Sequence, residues 1–166
     1  MILKTERLAL RRLTLDDAEN MALLVNDWDV AKVLARVPHP YSRDDAIWFI
    51  NDVTAKDLPA WGIFTDRMIG VVGTEDHLGY WLGKPYWGKG YATEAATAAL
   101  DYHFSDGKNA KIVSGHLPGN TASRHVLEKL GFVETGLSKT YSTALQEDVD
   151  HIDMLLTRAA WEAKRS

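Results

Sequence analysis

Tyr86-Trp87-Gly88-Lys89-Gly90-Tyr91-Ala92-Thr93-Glu94-Ala95 is the stretch that decides the fold. It follows an alternating segment, about His77–Leu82, that reads as a strand. It opens an alanine-rich helix from about Tyr91 to Phe104. Two glycines let the backbone approach a ligand closely. The free N–H groups of a first helical turn, with the positive end of the helix dipole, favour an anion. The small side chains of Ala92, Ala95, Ala96 and Ala99 let the helix lie close to a sheet. Two nucleotide-binding readings fail here. Gly83 to Lys89 fits GxxxxGK, but the next residue is Gly90 where a P-loop needs Ser or Thr for magnesium, and no apolar strand ends in a clear partner Asp. A dinucleotide fingerprint fails because Thr93 stands where its third glycine belongs.

Outward from this turn the chain alternates between two periodicities. Arg7–Leu13 reads as a strand through Leu8, Leu10 and Leu13. Thr14 with Asp17, and Ser42 with Asp45, are helix-start signals. Ala18, Met21, Ala22 and Val25 follow the first at helical spacing, and Ala46, Phe49, Ile50 and Val53 follow the second. Ala60–Phe64 and Met68–Gly73 read as strands joined at Asp66-Arg67, and Lys111–His116 as another. Asn120 caps a further helix, with Ala122, Val126 and Leu130 expected on its inner face. Gly131 ends it in the left-handed conformation. Val133–Tyr141 and Val149–Leu156 form a closing antiparallel pair. This order implies one α/β (α+β) domain over residues 1–166, built on a mixed, mostly antiparallel sheet with flanking helices.

Composition limits what such a domain does. With 166 residues, 46% hydrophobic and 25% charged, the chain has the make-up of an ordinary globular protein. It has no Cys, which removes a thiol nucleophile, a disulfide framework and Cys-ligated zinc. The six histidines show no short ligand spacing, so no metal site is expected. There is no GxSxG elbow for a serine hydrolase. Lys and Arg number 19 against 23 Asp and Glu, and 19 − 23 gives −4, which argues against a nucleic-acid partner. No apolar run approaches the ~20 residues of a membrane span, and Met1–Arg7 has no signal-type apolar stretch, so no membrane association and a cytoplasmic location are expected.

The glycine turn also suits the pyrophosphate of coenzyme A, and here the chain resembles the GNAT acetyltransferase superfamily. That family's Gln/Arg-x-x-Gly-x-Gly/Ala pattern is met at Gly90 and Ala92, while Trp87 replaces its first residue. Asn120-Thr121-Ala122-Ser123, then Val126-Leu127-Glu128-Lys129-Leu130-Gly131-Phe132, resembles the RimJ/RimL-like branch, which acetylates ribosomal-protein N-termini. Thr5-Glu6-Arg7-Leu8 and Gly79-Tyr80-Trp81-Leu82 are similar to it as well. The resemblance implies a sheet whose two central strands splay apart around acetyl-CoA. It places the pantetheine arm on the backbone of Tyr80, Trp81 and Leu82, and the pyrophosphate on the N–H groups of Gly88, Lys89, Gly90, Tyr91, Ala92 and Thr93. Asn120 and Ser123 adjoin the cofactor; Lys89, Arg124 and Lys129 are candidates for its phosphates. The implied acceptor is an amine, on a protein N-terminus or a small molecule, and a homodimer stays open. A non-catalytic acyl-CoA-binding domain is the rival reading.

The resemblance further implies direct transfer without an acyl-enzyme. The incoming ammonium must be deprotonated, a backbone N–H must polarise the thioester carbonyl, and the leaving sulfur must be stabilised. Many relatives use a Tyr for the last task where this chain has Leu127. In the RimJ/RimL-like branch the serine of Asn-x-x-Ser is the donor, here Ser123. For the base, Asp76 and His77 precede the pantetheine strand. His116 and a water chain are alternatives. An imidazole titrates in a suitable range, whereas Asp76 needs burial to raise its pKa. Residues 14–57 carry four Lys/Arg against nine Asp/Glu, net −5, and form either an acidic wall for a cationic acceptor or ordinary solvated faces.

Overall fold

The computed structural model describes every residue, Met1–Ser166. Leu3–Lys4 (β1), Ala9–Arg11 (β2), Ala60–Phe64 (β3), Met68–Gly73 (β4) and Gly79–Leu82 (β5) form one antiparallel sheet in that order. Lys111–His116 (β6), Val133–Ser142 (β7) and Glu147–Thr157 (β8) form a second, with β8 in the centre. Ala18–Val25 (α1), Trp28–Ala31 (α2) and Arg43–Ala55 (α3) follow β2. Tyr91–Phe104 (α4) follows β5, Thr121–Leu130 (α5) follows β6, and Arg158–Arg165 (α6) closes the chain. This is the α+β architecture with flanking helices that the sequence implied, divided between two sheets.

The helix starts are where the capping residues put them. The Ser42 hydroxyl accepts from the Asp45 N–H at 3.2 Å, and the Asp45 carboxylate accepts from the Ser42 N–H at 2.8 Å. The Asp17 carboxylate accepts from the Thr14 N–H and is bridged by the Arg11 guanidinium. Gly131 ends α5 at φ +102°, a conformation that costs glycine nothing.

Each layer has its own apolar filling. Leu10, Ile63, Leu100, Leu127, Met154 and Leu156 pack where α4, α5 and α6 cover the sheets. Val25, Ile50, Met68 and Val71 pack on the opposite face, under α1 and α3. On β5 the alternation sends Tyr80 and Leu82 to the first cluster and Trp81 to the second.

The two sheets meet at one point. The Leu78 N–H donates to the Val113 carbonyl at 2.9 Å, and the Ser114 hydroxyl donates to the Leu78 carbonyl at 2.8 Å. Past that point no ladder joins β5 to β6. The strands part and leave a slot between them.

Several expectations need correction. The inner face of α5 is Ser123, Leu127 and Leu130; Ala122 is exposed and Val126 only half-buried. Fully burying a leucine contributes about 1.5–3 kcal/mol, so Leu127 and Leu130 set the rotation of the helix. The first strand is short, Ala9–Arg11, and pairs with β1, whose two residues carry no alternation of their own. The strand expected over His77–Leu82 begins at Gly79. The one-turn α2 and the terminal α6, whose Trp161 is buried, are further elements.

Candidate active site

The glycine turn is built to expose backbone. Gly88 and Gly90 have φ of +74° and +81°, values that side chains with a Cβ adopt at a cost. Gly90 caps α4 without any side-chain hydrogen bond. The first intramolecular bond of the helix is from the Glu94 N–H to the Gly90 carbonyl. The N–H groups from Gly88 to Thr93 therefore have no acceptor in the chain. Free N–H groups in succession at a helix start suit a diphosphate. Arg7 braces the loop. Its guanidinium donates to the Lys89 carbonyl at 2.8 Å and to Glu94 at 2.7 Å, and lies over the Tyr91 ring. Burial pushes the Glu94 carboxyl up, but hydrogen bonds from Thr5 and Arg7 outweigh it and hold it below the usual range. Its charge is thereby balanced beside an anion site.

The β5 edge supplies the next contacts. Leu78 turns its backbone toward β6, so the alternate residues Tyr80 and Leu82 do the same. The Leu82 carbonyl is taken by the Trp87 indole N–H at 2.9 Å. The Tyr80 N–H and carbonyl face the slot and fit a pantetheine arm. Trp81 turns its backbone to β4 and its ring to the α1–α3 side, so of the three expected strand contacts it is the one turned away.

The α5 start lies across the slot. The Asn120 side chain accepts from the Ser123 N–H at 3.2 Å, a helix cap. The Ser123 hydroxyl is 2.8 Å from the Tyr80 phenol oxygen. Burial pushes the Tyr80 phenol up to about 12, and the bond to Ser123 only partly offsets this. The phenol stays protonated and keeps the serine hydroxyl in a shared hydrogen bond. Arg124 is bound to Glu128 at 2.7 Å, while Lys89 and Lys129 are exposed.

The opposite face of the slot is roofed by residues 32–41. This strap is tied to the turn before β5 by the Arg36–Asp76 contact at 3.8 Å, and to the β7–β8 hairpin by the Thr143 N–H on the Ala35 carbonyl at 2.8 Å. The Asp76 carboxylate and the His77 Nδ1 form a close hydrogen bond. That hydrogen bond holds the Asp76 carboxyl below the usual range, and its side chain is 61% exposed, so it lacks the raised pKa that a base role needs. The His77 ring folds up toward Gly79. His116 is buried against its neighbour's carbonyl, on the α4–α5 side. Four of the nine acids of residues 14–57 are ion-paired: Asp17 with Arg11, Asp29 with Lys32 and Lys84, Asp52 with Lys56 and Asp57 with Arg12. Slot and strap enclose a cleft of about 2170 Å³ reaching from Gly88 to His151. Single small-molecule pockets span roughly 300–1,000 Å³, so there is room for two reactants.

Two features were not legible in the sequence. The Tyr80 hydroxyl meets Ser123 across 43 residues. His151, Asp153 and Ser138 form a hydrogen-bonded group on the second sheet. Both depend on strand register.

The match to known proteins agrees with this geometry. The chain belongs to the GNAT acetyltransferases: the acetyltransferase (GNAT) domain matches residues 7–133. It is an N-acetyltransferase, and RimJ/RimL ribosomal-protein acetyltransferases are among its relatives in sequence and fold. An uncharacterized N-acetyltransferase p20 of Bacillus licheniformis is 32% identical over 162 residues, covering 89% of this chain and 91% of that one. The [ribosomal protein uS5]-alanine N-acetyltransferase of Escherichia coli is 34% identical over 89 residues, covering 54% of this chain and 46% of that one. Mycobacterium smegmatis RimJ in complex with CoA-disulfide shares the fold, with a TM-score of 0.77 at 22% identity over 92% of this chain and 82% of that one.

Proposed function

We propose that the chain transfers acetyl from acetyl-CoA directly to a primary amine, on a protein N-terminus or a small molecule. The observation that carries this is the run of N–H groups from Gly88 to Thr93 with no acceptor, set at the end of a slot whose β5 edge is also unpaired. Similarity to the uS5-alanine enzyme and to RimJ, solved with CoA-disulfide, supports the acceptor class and the cofactor. In this reading the glycine turn holds the diphosphate, and Tyr80 and Leu82 hold the pantetheine arm. The cofactor supplies the acetyl group as a thioester. Ser123, its hydroxyl oriented by Tyr80, hydrogen-bonds the sulfur as negative charge gathers there. The acceptor enters from the strap side, where the His77 and His151 imidazoles lie. The lack of Cys suits a reducing, cytoplasmic compartment.

The test pairs binding with turnover. Acetyl-CoA should raise the melting temperature, because a ligand of the folded state alone stabilises by about 2.7 kcal/mol at 100 times its Kd. Thiol release is then measured across peptides with free N-termini, polyamines and aminoglycosides. Release with at least one amine supports the proposal. Binding without release across the panel would instead mark an acyl-CoA-binding module.

A further inference from the structure

Resting on the acetyl-transfer reading, we propose that His151 is the base that takes the proton from the acceptor ammonium, with Asp153 and Ser138 as its positioning residues. His151 and Asp153 lie two apart on β8, and Ser138 of β7 stands opposite His151 in register, so all three share one face of the sheet. It is the strap face, because Met154 and Leu156 alternate with them into the α4–α5 core. The His151 Nδ1 is 2.7 Å from an Asp153 carboxylate oxygen, and the Ser138 hydroxyl donates to that same oxygen at 2.8 Å. Nδ1 thus carries the hydrogen, which leaves the Nε2 lone pair free. The bonds from His151 and Ser138 hold the Asp153 carboxyl below the usual range, so it stays an acceptor.

Gly115 places the ring. A Cβ there would lie 2.1 Å from the His151 Cε1 and 2.6 Å from Nε2, so the imidazole lies against the β6 backbone where only glycine gives room. Gly115 is two residues past Val113, the β6 residue at the meeting point; Tyr80 is two past Leu78, its partner. The imidazole and the Tyr80–Ser123 hydroxyls lie on opposite faces of the sheets, on the two sides of the slot. A transfer through the slot needs a base on one side and a donor to sulfur on the other.

Charges on the packed elements do not compete. Lys139 and Asp150 pair with each other on the far face of the hairpin, β6 presents only Val113 and Gly115 here, and Arg36 of the strap is turned to Asp76. The rival pair, His77 with Asp76, sits on a turn, with side chains 41% and 61% exposed against 27% and 38% for His151 and Asp153. The steps balance. One ammonium proton goes to Nε2, and the amine then forms the C–N bond as the C–S bond breaks. The second nitrogen proton ends on sulfur, and Nε2 returns its proton to water.

The experiment compares wild type, His151→Gln, Asp153→Asn and His77→Asn, with a peptide amine that wild type acetylates. Acetyl-CoA affinity and the pH dependence of kcat are read in each. His151→Gln should bind acetyl-CoA as wild type does, lose about 10²–10³ in kcat, and lose the acidic limb of its kcat–pH profile. Asp153→Asn should keep that limb but shift it, with a smaller loss, which a purely structural role would not do. His151→Gln within a few-fold of wild type, with the limb kept, overturns the proposal; a 10²-fold loss in His77→Asn alone hands the role to that pair. A wild-type protein that acetylates no amine removes the acetyl-transfer reading itself, a separate result.

Discussion

α4 and α5 both begin at the slot, and they begin in opposite ways. α4 starts at a left-handed glycine with no side-chain cap, and the N–H groups of its first turn are free. α5 starts at Asn120, whose side chain already accepts the Ser123 N–H, and its first turn offers a hydroxyl instead. A bare helix end is unfavourable unless something supplies the missing acceptors. A capped end is complete in itself. The two ends differ in where they keep unsatisfied groups, and this divides their roles: backbone donors for a diphosphate at α4, a side-chain donor for sulfur at α5.

Substitution at Gly90 should break that comparison most severely. Gly90→Val places a β-branched residue at a φ of +81°, with its Cβ 3.2 Å from the Arg7 guanidinium that braces the turn, so the run of free N–H groups loses its shape. Each hydrogen bond to a charged group contributes about 1.5–3 kcal/mol, so losing two weakens acetyl-CoA binding by about 10² or more. Isothermal titration of the folded variant measures this. Unaltered affinity would dissociate the glycine turn from the cofactor.

Ser123→Ala addresses the other helix. Losing one donor to an oxyanion typically costs about 10²–10³ in kcat, and sulfur is a weaker acceptor, so a loss of about 10–10² is expected with acetyl-CoA affinity kept. Tyr80→Phe should reproduce part of it, since the phenol only orients the serine. Equal turnover in all three proteins would reduce the Tyr80–Ser123 bond to a helix–strand fastening.

A smaller effect is expected at the cap. Asn120→Ala should cost about 1 kcal/mol of stability, the usual worth of an N-cap, and change acetyl-CoA affinity by less than about threefold. Denaturant unfolding with and without acetyl-CoA separates the two. A large affinity loss at unchanged stability would make Asn120 a ligand of the cofactor rather than a cap.

The smallest effect is on pH dependence. The Glu94 carboxyl is held below its usual range, so its contribution to stability is complete above the unfolded-state value and fades as pH falls through the lower folded one. Glu94→Gln should therefore lose stability near neutral pH and show a shallower fall in melting temperature between about pH 5 and pH 3. Parallel curves for the two proteins would show that Arg7 and Thr5 do not favour the ionised form.

Much of this was legible in the residue order because its causes are local. Tyr91–Phe104, Ala60–Phe64, Met68–Gly73 and Lys111–His116 appear with the limits their patterns suggest. The Ser42–Asp45 and Thr14–Asp17 boxes and the Gly131 stop act within four residues. The backbone donors of the glycine turn are local too, since glycine and a helix start suffice to produce them. β1 and α2 escaped because two and four residues show no period; β1 exists through its pairing with Ala9 and Leu10. The rotation of α5 escaped because Ala122 and Val126 are as apolar by type as the positions that the neighbouring sheet covers.

By itself, then, the sequence determined where helices start and stop, which residues alternate along the strands, and that an anion-binding turn precedes α4. Those choices follow from φ preferences, capping bonds and apolar spacing within a few residues. Only the tertiary structure decided that Leu78, just before β5, touches Val113 of β6 and that the two strands then part, that Tyr80 reaches Ser123, and that His151 rests on Gly115 beside Asp153 and Ser138. Each of these joins residues distant in the chain or on neighbouring strands, and a register shift of one residue would turn every such side chain to the other face.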